Sequence, residues 1–188
     1  MSIRDLSKEI SKHYTPYTGE HGLYVSRVPD LLSVDKLVNL VHMFKLCTME
    51  DKDINELHCT IMYSPNPVKT EAKEDMSPVL LPCSAWVLRL EFWPGHDDEG
   101  YLVACLESDV LQTLHRLWRL RGGVPTFPDY KPHVTLKTPF EEYRGLTGRL
   151  KDVNRHLEQE PLLIRLEKEK VESIKKLVSV SATTAHMV

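Results

Sequence analysis

The sequence predicts an α+β fold made of two β-α-β lobes packed about a pseudo-twofold axis. Two observations support this prediction. Strand, helix and strand patterns follow one another in the same order in each half of the chain, and the second strand of each half carries a His-x-Thr motif. The halves share this layout without detailed sequence identity. The chain has 188 residues, 41% of them hydrophobic and 27% charged, which agrees with one soluble domain.

The first half starts with a strand pattern. Residues 22–28 alternate and are rich in β-forming side chains. Ser33 is then placed to cap a helix, because the apolar residues between Val34 and Phe44 follow helical spacing. Residues 56–64 alternate again, and Pro65-Asn66-Pro67 should end this second strand before a charged loop.

The second half repeats that order. A third strand at residues 85–92 and a turn from Trp93 to Gly100 lead into a strand at residues 101–106. Ser108 can cap the helix that follows, which should end at Gly122-Gly123. The next strand, at residues 131–137, carries the second motif.

The rest of the chain completes the predicted domain. A mostly polar helix is predicted at residues 146–159, and closing strands at residues 162–166 and 171–178. We interpret residues 1–20 as an N-terminal arm, residues 21–178 as a single domain and residues 179–188 as a tail.

Charge and composition narrow the function. No stretch approaches the roughly 20 apolar residues of a membrane span, and MSIRDLSKEISKH lacks the apolar run of a signal peptide, so we expect a cytosolic protein without membrane contact. The 24 basic and 27 acidic residues give a net charge of −3, which argues against long nucleic acid as a partner. A short anionic ligand needs only a few placed cations. The cysteines form no CxxC pair, so no zinc or redox motif is predicted.

The two His-x-Thr motifs carry the predicted chemistry. Alternate side chains of a strand share a face, so His58 and Thr60 project together, as do His133 and Thr135. Cleaving a phosphodiester without a metal requires a base, an acid and donors for the nonbridging oxygens. Two imidazoles and two hydroxyls supply this set, because imidazoles titrate near neutrality.

Each motif also has a structural interpretation. A single His-x-Thr occurs by chance in many strands, and a degenerate binding module could keep the same layout. Two copies at equivalent places of a repeated order favour the paired catalytic site. A zinc site is disfavoured, because there is no HExxH and hydroxyls are poor zinc ligands, so we expect no metal and no other cofactor.

Three more side chains are candidates for ligand binding. Tyr24 can stack on a nucleobase from the first strand, or it can belong to the core. Trp93 lies in a predicted turn, where aromatic residues often contact ligands. Lys137 shares the face of His133 and Thr135, so its ammonium can hold an anion.

The residues around the motifs resemble a known group of enzymes. LHCTI at residues 57–61 and PHVTL at residues 132–136 look like the two signature motifs of the 2H phosphoesterase superfamily. This resemblance covers about residues 21–178. It implies a bilobal α+β fold, with antiparallel sheets around a central cleft.

A narrower resemblance comes from longer segments. GLYV at residues 22–25, LHCTIMYS at 57–64 and YKPHVTL at 130–136 are similar to the phage anti-CBASS nucleases, a 2H branch that destroys cyclic oligonucleotide signals of bacterial defence. For this branch the resemblance implies that the His and Thr residues of both motifs are catalytic. It also implies Tyr24 in the ligand pocket, an aromatic near Trp93 stacking on a base, and a carboxylate at Glu169 or Glu172.

Three functions follow as hypotheses. The first is a phosphodiesterase that cleaves 3′–5′ bonds of cyclic di- or trinucleotides in the cytoplasm of an infected bacterium, using the neighbouring 2′-hydroxyl as nucleophile. The second is a 2H enzyme that opens 2′,3′-cyclic phosphates on RNA ends or small nucleotides. The third is a protein that sequesters a cyclic nucleotide without cutting it. We expect a monomer that needs no metal.

Overall fold

The computed structural model describes five stretches of the chain, residues 22–68, 78–95, 100–127, 129–141 and 143–174. The predicted arm at residues 1–20 and tail at residues 179–188 lie outside these stretches. Most of the predicted charged loop and the end of the second closing strand also lie outside them.

Within the described stretches the chain forms six strands and four helices. The strands are β1 (Gly22–Pro29), β2 (Cys59–Pro67), β3 (Cys83–Pro94), β4 (Gly100–Glu107), β5 (His133–Phe140) and β6 (Leu162–Ile174). The helices are α1 (Leu31–Met43), α2 (Asp51–Asn55), α3 (Asp109–Leu120) and α4 (Leu146–Gln159). The strand and helix order of each half agrees with the prediction, and α2 is an addition to it.

The strands form one closed antiparallel sheet in the order β1-β2-β5-β4-β3-β6. At the junction of β2 with β5 a single partner pair, Cys59 with Val134, joins the strands. The junction of β3 with β6 is longer, with Cys83 to Val87 running against Leu162 to Leu166. The fold is therefore mixed α and β with antiparallel strands, while its division into two lobes around a cleft stays a prediction.

Three of the helices pack against the strands of this sheet. α1 packs on β1 and β6, α3 packs on β2 and β3, and α4 packs on β3. Their apolar sides and the inward residues of the strands form one hydrophobic core, which includes Val25, Leu37, Leu111, Trp118, Val134, Val153 and Ile164. None of the helices in the described part of the chain combines the length and apolar character needed to cross a membrane.

The start of α1 differs from the prediction. Asp30, not Ser33, is the N-cap, and its side chain accepts a hydrogen bond from the Ser33 amide at 2.8 Å. Ser33 is buried, and its Oγ accepts from the Arg165 amide of β6 at 2.8 Å. An earlier carboxylate therefore caps the helix, because the serine hydroxyl binds a neighbouring strand. The predicted cap of α3 is confirmed, since Ser108 accepts from the Leu111 amide.

Several strand boundaries also differ. β2 continues to Pro67 opposite Gly22, where a Cβ on the glycine would lie 2.6 Å from the Ser64 carbonyl oxygen. Prolines are tolerated there because β2 pairs with β5 only at its beginning, so its outer edge has no ladder to interrupt. β3 runs to Pro94, which places Trp93 in a strand and not in a turn. β6 is one strand of 13 residues where two were predicted.

β1 contains a buried arginine. The side chain of Arg27 is fully buried, and its Nη2 lies 3.8 Å from Oε1 of Glu169, which is also fully buried. The guanidinium donates to three backbone carbonyls as well, those of Leu81 at 2.8 Å, Glu167 at 2.9 Å and Val79 at 3.2 Å. Arg27 thus ties β1 to β6 and to the segment before β3.

Glu169 completes this network from β6. Its Oε2 accepts from the Val79 amide at 2.7 Å, and its Oε1 accepts from Trp118 Nε1 at 3.3 Å. Burial raises the pKa of this carboxyl. Removing one partner of a buried ion pair leaves the other charge uncompensated, which costs about 3–5 kcal/mol. The pair therefore holds β1, β6 and α3 together.

We predict that Glu169→Gln lowers the free energy of unfolding by about 3–5 kcal/mol, measured by urea denaturation. The matched control is Asp152→Asn, because the Asp152–Arg155 pair at 3.6 Å is exposed on α4. This control should change the free energy of unfolding by less than about 1 kcal/mol. Equal losses in the two variants would contradict the prediction.

Candidate active site

The two histidines lie at the start of the strands that join the halves. His58 directly precedes β2, and His133 is the first residue of β5. The partner pair between the strands is formed by their next residues, Cys59 and Val134, and both side chains are fully buried in the core. The histidines therefore project from the opposite face of the sheet, side by side where β2 meets β5.

The threonines take crossed positions on this face. Continuing the antiparallel register from Cys59 and Val134 places His58 across from Thr135. The same register places Thr60 across from His133. The register thus puts each histidine across from the threonine of the other motif.

Both imidazoles are held in the same way. Nδ1 of His58 lies 2.6 Å from the Glu56 carbonyl oxygen, and Nδ1 of His133 lies 2.8 Å from the Lys131 carbonyl oxygen. A carbonyl oxygen only accepts, so in each ring Nδ1 carries the hydrogen and donates it. The neutral form then has its lone pair on Nε2. Each ring can take up or release a proton at Nε2.

The surroundings of His133 favour its neutral form. Its ring centroid lies 4.6 Å from that of Trp93, whose Nε1 donates to Glu91 Oε2 at 2.6 Å. Burial lowers the pKa of His133, and the nearby His58 lowers it further by charge repulsion. The hydrogen bond from His133 to the Lys131 carbonyl raises the pKa, but by less than burial lowers it. The lowered pKa therefore favours the neutral imidazole of His133 at pH 7.

Tyr24 lies on the other side of the histidine pair. Its hydroxyl is 3.1 Å from Thr60 Oγ1, and its ring is 6.0 Å from the His58 ring in an edge-on arrangement. Burial raises the pKa of Tyr24, and the carboxylate of Glu172 across the strand pair raises it further. The phenol thus stays protonated, and its hydroxyl adds one more polar group beside the site.

The three other residues predicted to bind the ligand, Lys137, Glu172 and Glu169, lie in surroundings that differ from one another. Lys137 donates to Asp53 Oδ2 at 2.7 Å, a contact that raises the lysine pKa, so its ammonium is bound to α2. Glu172 is exposed on β6 opposite Tyr24. Glu169 is fully buried against Arg27, as described above, and does not reach the histidines. Of the two carboxylates, the structure places Glu172 beside the site.

Two comparisons with known proteins identify the family. A model of the family described as Anti-CBASS protein Acb1 matches residues 21–179. The chain belongs to the Anti-CBASS protein Acb1 family. The Acb1 protein of Vibrio phage KVP40 is 30% identical over 115 residues, which cover 61% of this chain and 71% of that protein. The resemblance to phage anti-CBASS proteins is thereby confirmed, and membership of the 2H superfamily stays a prediction.

A search of solved structures also gives a match at low identity. The chain is similar to Usb1 of Kluyveromyces marxianus, with 11% sequence identity and a TM-score of 0.47. The alignment covers 82% of this chain and 94% of the other.

Two residues without a predicted role support β2 in this Acb1-family protein. Tyr130 donates to the Thr60 carbonyl at 3.1 Å, and its ring stacks on buried His115 with a 4.2 Å centroid separation. His115 Nδ1 donates to the next carbonyl, that of Ile61, at 2.7 Å. Two consecutive carbonyls, at the end of the first His-x-Thr motif and directly after it, are therefore held by side chains from the second half.

Sequence patterns predict only some of the contacts around the candidate site. The spacing of Leu111, Leu114, His115 and Trp118 indicates that His115 lies on the buried side of α3. Glu91 and Trp93 share a face of β3 by simple alternation, yet nothing in the spacing links them to His133. Asp53, the partner of Lys137, lies in α2, which was not predicted.

The described residues contain no cluster of three or more His, Cys, Asp or Glu side chains arranged to hold a metal ion.

We predict that Trp93→Ala moves the pKa of His133 upward, toward the ordinary value of about 6.5. Removing the indole admits water, which stabilises the charged imidazolium that burial disfavours. NMR titration of the imidazole carbon protons measures the shift. Trp86→Ala is the control, because this tryptophan is also on β3 but has an exposed side chain opposite Leu163. A His133 pKa unchanged in Trp93→Ala, or moved equally by both substitutions, would contradict the prediction.

Proposed function

We propose that this protein is an anti-CBASS phosphodiesterase that cleaves 3′–5′ bonds of cyclic di- and trinucleotides in the infected bacterial cell, without a metal. Membership of the Acb1 family supports the anti-CBASS function in phage infection. The observation that carries the proposed chemistry is the crossed arrangement of the two His-x-Thr motifs, with Nδ1 of each histidine bound to a carbonyl. In this arrangement Nε2 of each histidine is available for proton transfer.

The first step is attack by the ribose 2′-hydroxyl on the adjacent phosphorus. His133 Nε2 takes the hydroxyl proton, because the depressed pKa of this imidazole keeps it neutral near pH 7. The new bond joins the 2′-oxygen to phosphorus, and the bond to the 5′-oxygen breaks. His58, as imidazolium, gives its Nε2 proton to that departing oxygen. The products are a 2′,3′-cyclic phosphate and a free 5′-hydroxyl.

The second step opens the cyclic phosphate. The histidines have exchanged protonation states, so neutral His58 accepts a proton from water and charged His133 protonates the departing 2′-oxygen. Water oxygen then joins phosphorus, and the product carries a 3′-phosphate. A substrate without a neighbouring 2′-hydroxyl cannot begin the sequence, so a 2′-deoxy substitution at the scissile linkage should prevent cleavage.

The hydroxyl groups stabilise the negative charge that develops on the nonbridging oxygens of the phosphate. Thr60 and Thr135 lie beside the crossed histidines, and each can donate to a nonbridging oxygen. Tyr24 lies 3.1 Å from Thr60 Oγ1 and can orient that hydroxyl by accepting or donating a hydrogen bond. These neutral donors act without a counter-ion, which agrees with the proposed reaction in the absence of metal.

The decisive experiment incubates the purified protein with EDTA and a panel of cyclic dinucleotides, cyclic trinucleotides and an RNA ending in 2′,3′-cyclic phosphate. Mass spectrometry identifies the products. We expect ring opening to species with a 3′-phosphate, and a loss of at least about a hundredfold in kcat for His58→Ala and for His133→Ala. Binding of the same rings by these variants should remain, because the substitutions remove proton transfer.

Other outcomes would overturn the proposal. Reaction of the RNA end alone would make the protein a 2H enzyme of RNA ends. Tight binding of a ring without cleavage would make it a sequestering protein. Cleavage of a ring with 2′-deoxyribose at the scissile linkage would contradict attack by the 2′-hydroxyl.

We also predict that Tyr130→Phe lowers kcat about tenfold while KM changes little, because the Thr60 carbonyl loses its donor and the hydroxyl shifts. The free energy of unfolding should fall by about 1 kcal/mol. Tyr143→Phe is the matched control, since its hydroxyl donates to the Leu46 carbonyl at 3.0 Å beside α4. The control should lose similar stability and keep its kcat. Full kcat in Tyr130→Phe would show that this hydrogen bond is only structural.

A further inference from the structure

A bulge in β2 changes which side chains face the active site. Ser26 of β1 is opposite Thr60, and the next residue back, Val25, is opposite Met62. Ile61 therefore has no partner on β1, and the side chains of both Ile61 and Met62 are buried. After two consecutive buried residues, the alternation along β2 is shifted by one.

The consequence concerns Tyr63. Simple alternation from Thr60 would turn position 63 toward the core, but the bulge turns it outward, and 44% of the Tyr63 side chain is exposed. Tyr63 is the direct partner of Tyr24 across the strand pair, with ring centroids 6.3 Å apart. The Tyr24 ring also contacts the His58 ring edge-on. Two tyrosine rings, Tyr24 and then Tyr63, thus continue from the histidine pair along the same face.

The members of this row differ in what they can offer a ligand. Tyr24 is half-buried between two rings, and its hydroxyl is engaged with Thr60. Tyr63 is exposed, and it lies one ring further from His58 than Tyr24 does. On the other side of the histidines, Trp93 lies against His133. Aromatic side chains therefore lie on both sides of the histidine pair, where the proposed reaction would bind the phosphate.

We propose that Tyr63 forms a stacking subsite for a nucleobase of the nucleoside attached to the scissile phosphate. This inference rests on the proposed function, since it assigns a position to part of the same substrate. An aromatic face stacks on any base, so the subsite strengthens binding without selecting adenine or guanine. Nucleobase stacking on one aromatic side chain typically changes affinity by roughly ten- to a hundredfold.

The test compares Tyr63→Leu with Tyr63→Phe, using 3′,3′-cyclic GMP–AMP as the probe. Leucine keeps an apolar side chain, whereas phenylalanine keeps the ring. We expect KM to rise roughly ten- to a hundredfold in Tyr63→Leu, to change less than about threefold in Tyr63→Phe, and kcat to stay unchanged in both. Thermal unfolding checks that both variants are folded. An analogue of the ring with abasic ribose in place of both nucleosides should bind the wild type and Tyr63→Leu equally.

The outcomes separate this inference from the proposed function. If the wild type cleaves the probe and Tyr63→Leu has the wild-type KM, the stacking subsite is wrong while the phosphodiesterase stands. If the wild type binds the probe without cleaving it, calorimetric affinities of Tyr63→Leu and Tyr63→Phe test the subsite directly. An equal loss of affinity for the complete and abasic rings would assign Tyr63 a structural role. If the wild type neither binds nor cleaves the probe, this subsite for a cyclic dinucleotide is overturned.

Discussion

A single backbone junction sets the geometry of the candidate site. β2 and β5 meet through one partner pair, Cys59 with Val134, and both side chains point into the core. A register slip by one residue would turn the motif of one strand toward the helices, because side chains alternate between faces. The burial of these two residues therefore fixes which way both histidines point. The crossed pairing of each histidine with the other threonine follows from the same register.

The two motifs are alike in sequence but lie in different environments. Both imidazoles bind a carbonyl two residues earlier through Nδ1, so their orientation is set by the backbone. His133 also lies against Trp93, while His58 lies beside Tyr24. Burial and the charge of the neighbouring imidazole lower the pKa of His133. In the proposed mechanism, these different environments assign the role of base to His133 and the role of acid to His58.

Local signals predicted those parts of the fold that depend on neighbouring residues. The strands with the motifs, the Ser108 cap and the bounds of α4 follow from alternation, capping and helical spacing. The cap of α1 was not predicted correctly, because Ser33 and Asp30 are equally good caps by residue type. In the fold, the Ser33 hydroxyl accepts from the Arg165 amide of a distant strand, which leaves Asp30 as the cap. Lys137 shares the predicted face of the motif, yet its ammonium is bound to Asp53, whose helix the sequence pattern did not indicate.

The candidate site also has features that local sequence signals do not predict. Alternation correctly joins His58 to Thr60, but the unpaired Ile61 reverses the phase for Tyr63. A bulge depends on how two strands fit together, and its carbonyl here is held by His115 from α3. Similarly, Glu169 and Glu172 are three residues apart on one strand, yet one is buried against Arg27 and the other is exposed. Their spacing puts the two carboxylates on opposite faces of the strand, but it does not tell which of the two faces is buried.

The position of β6 has a consequence for how the protein is made. β6 pairs with β1 and with β3, so the last of the described strands to be synthesised completes a sheet that includes the first of them. Until Glu169 leaves the ribosome, the Arg27 charge has no carboxylate partner, and two sheet edges stay open. Both histidines are translated before that moment. A growing chain therefore contains every proposed catalytic residue while it still lacks the strand that closes the sheet around them.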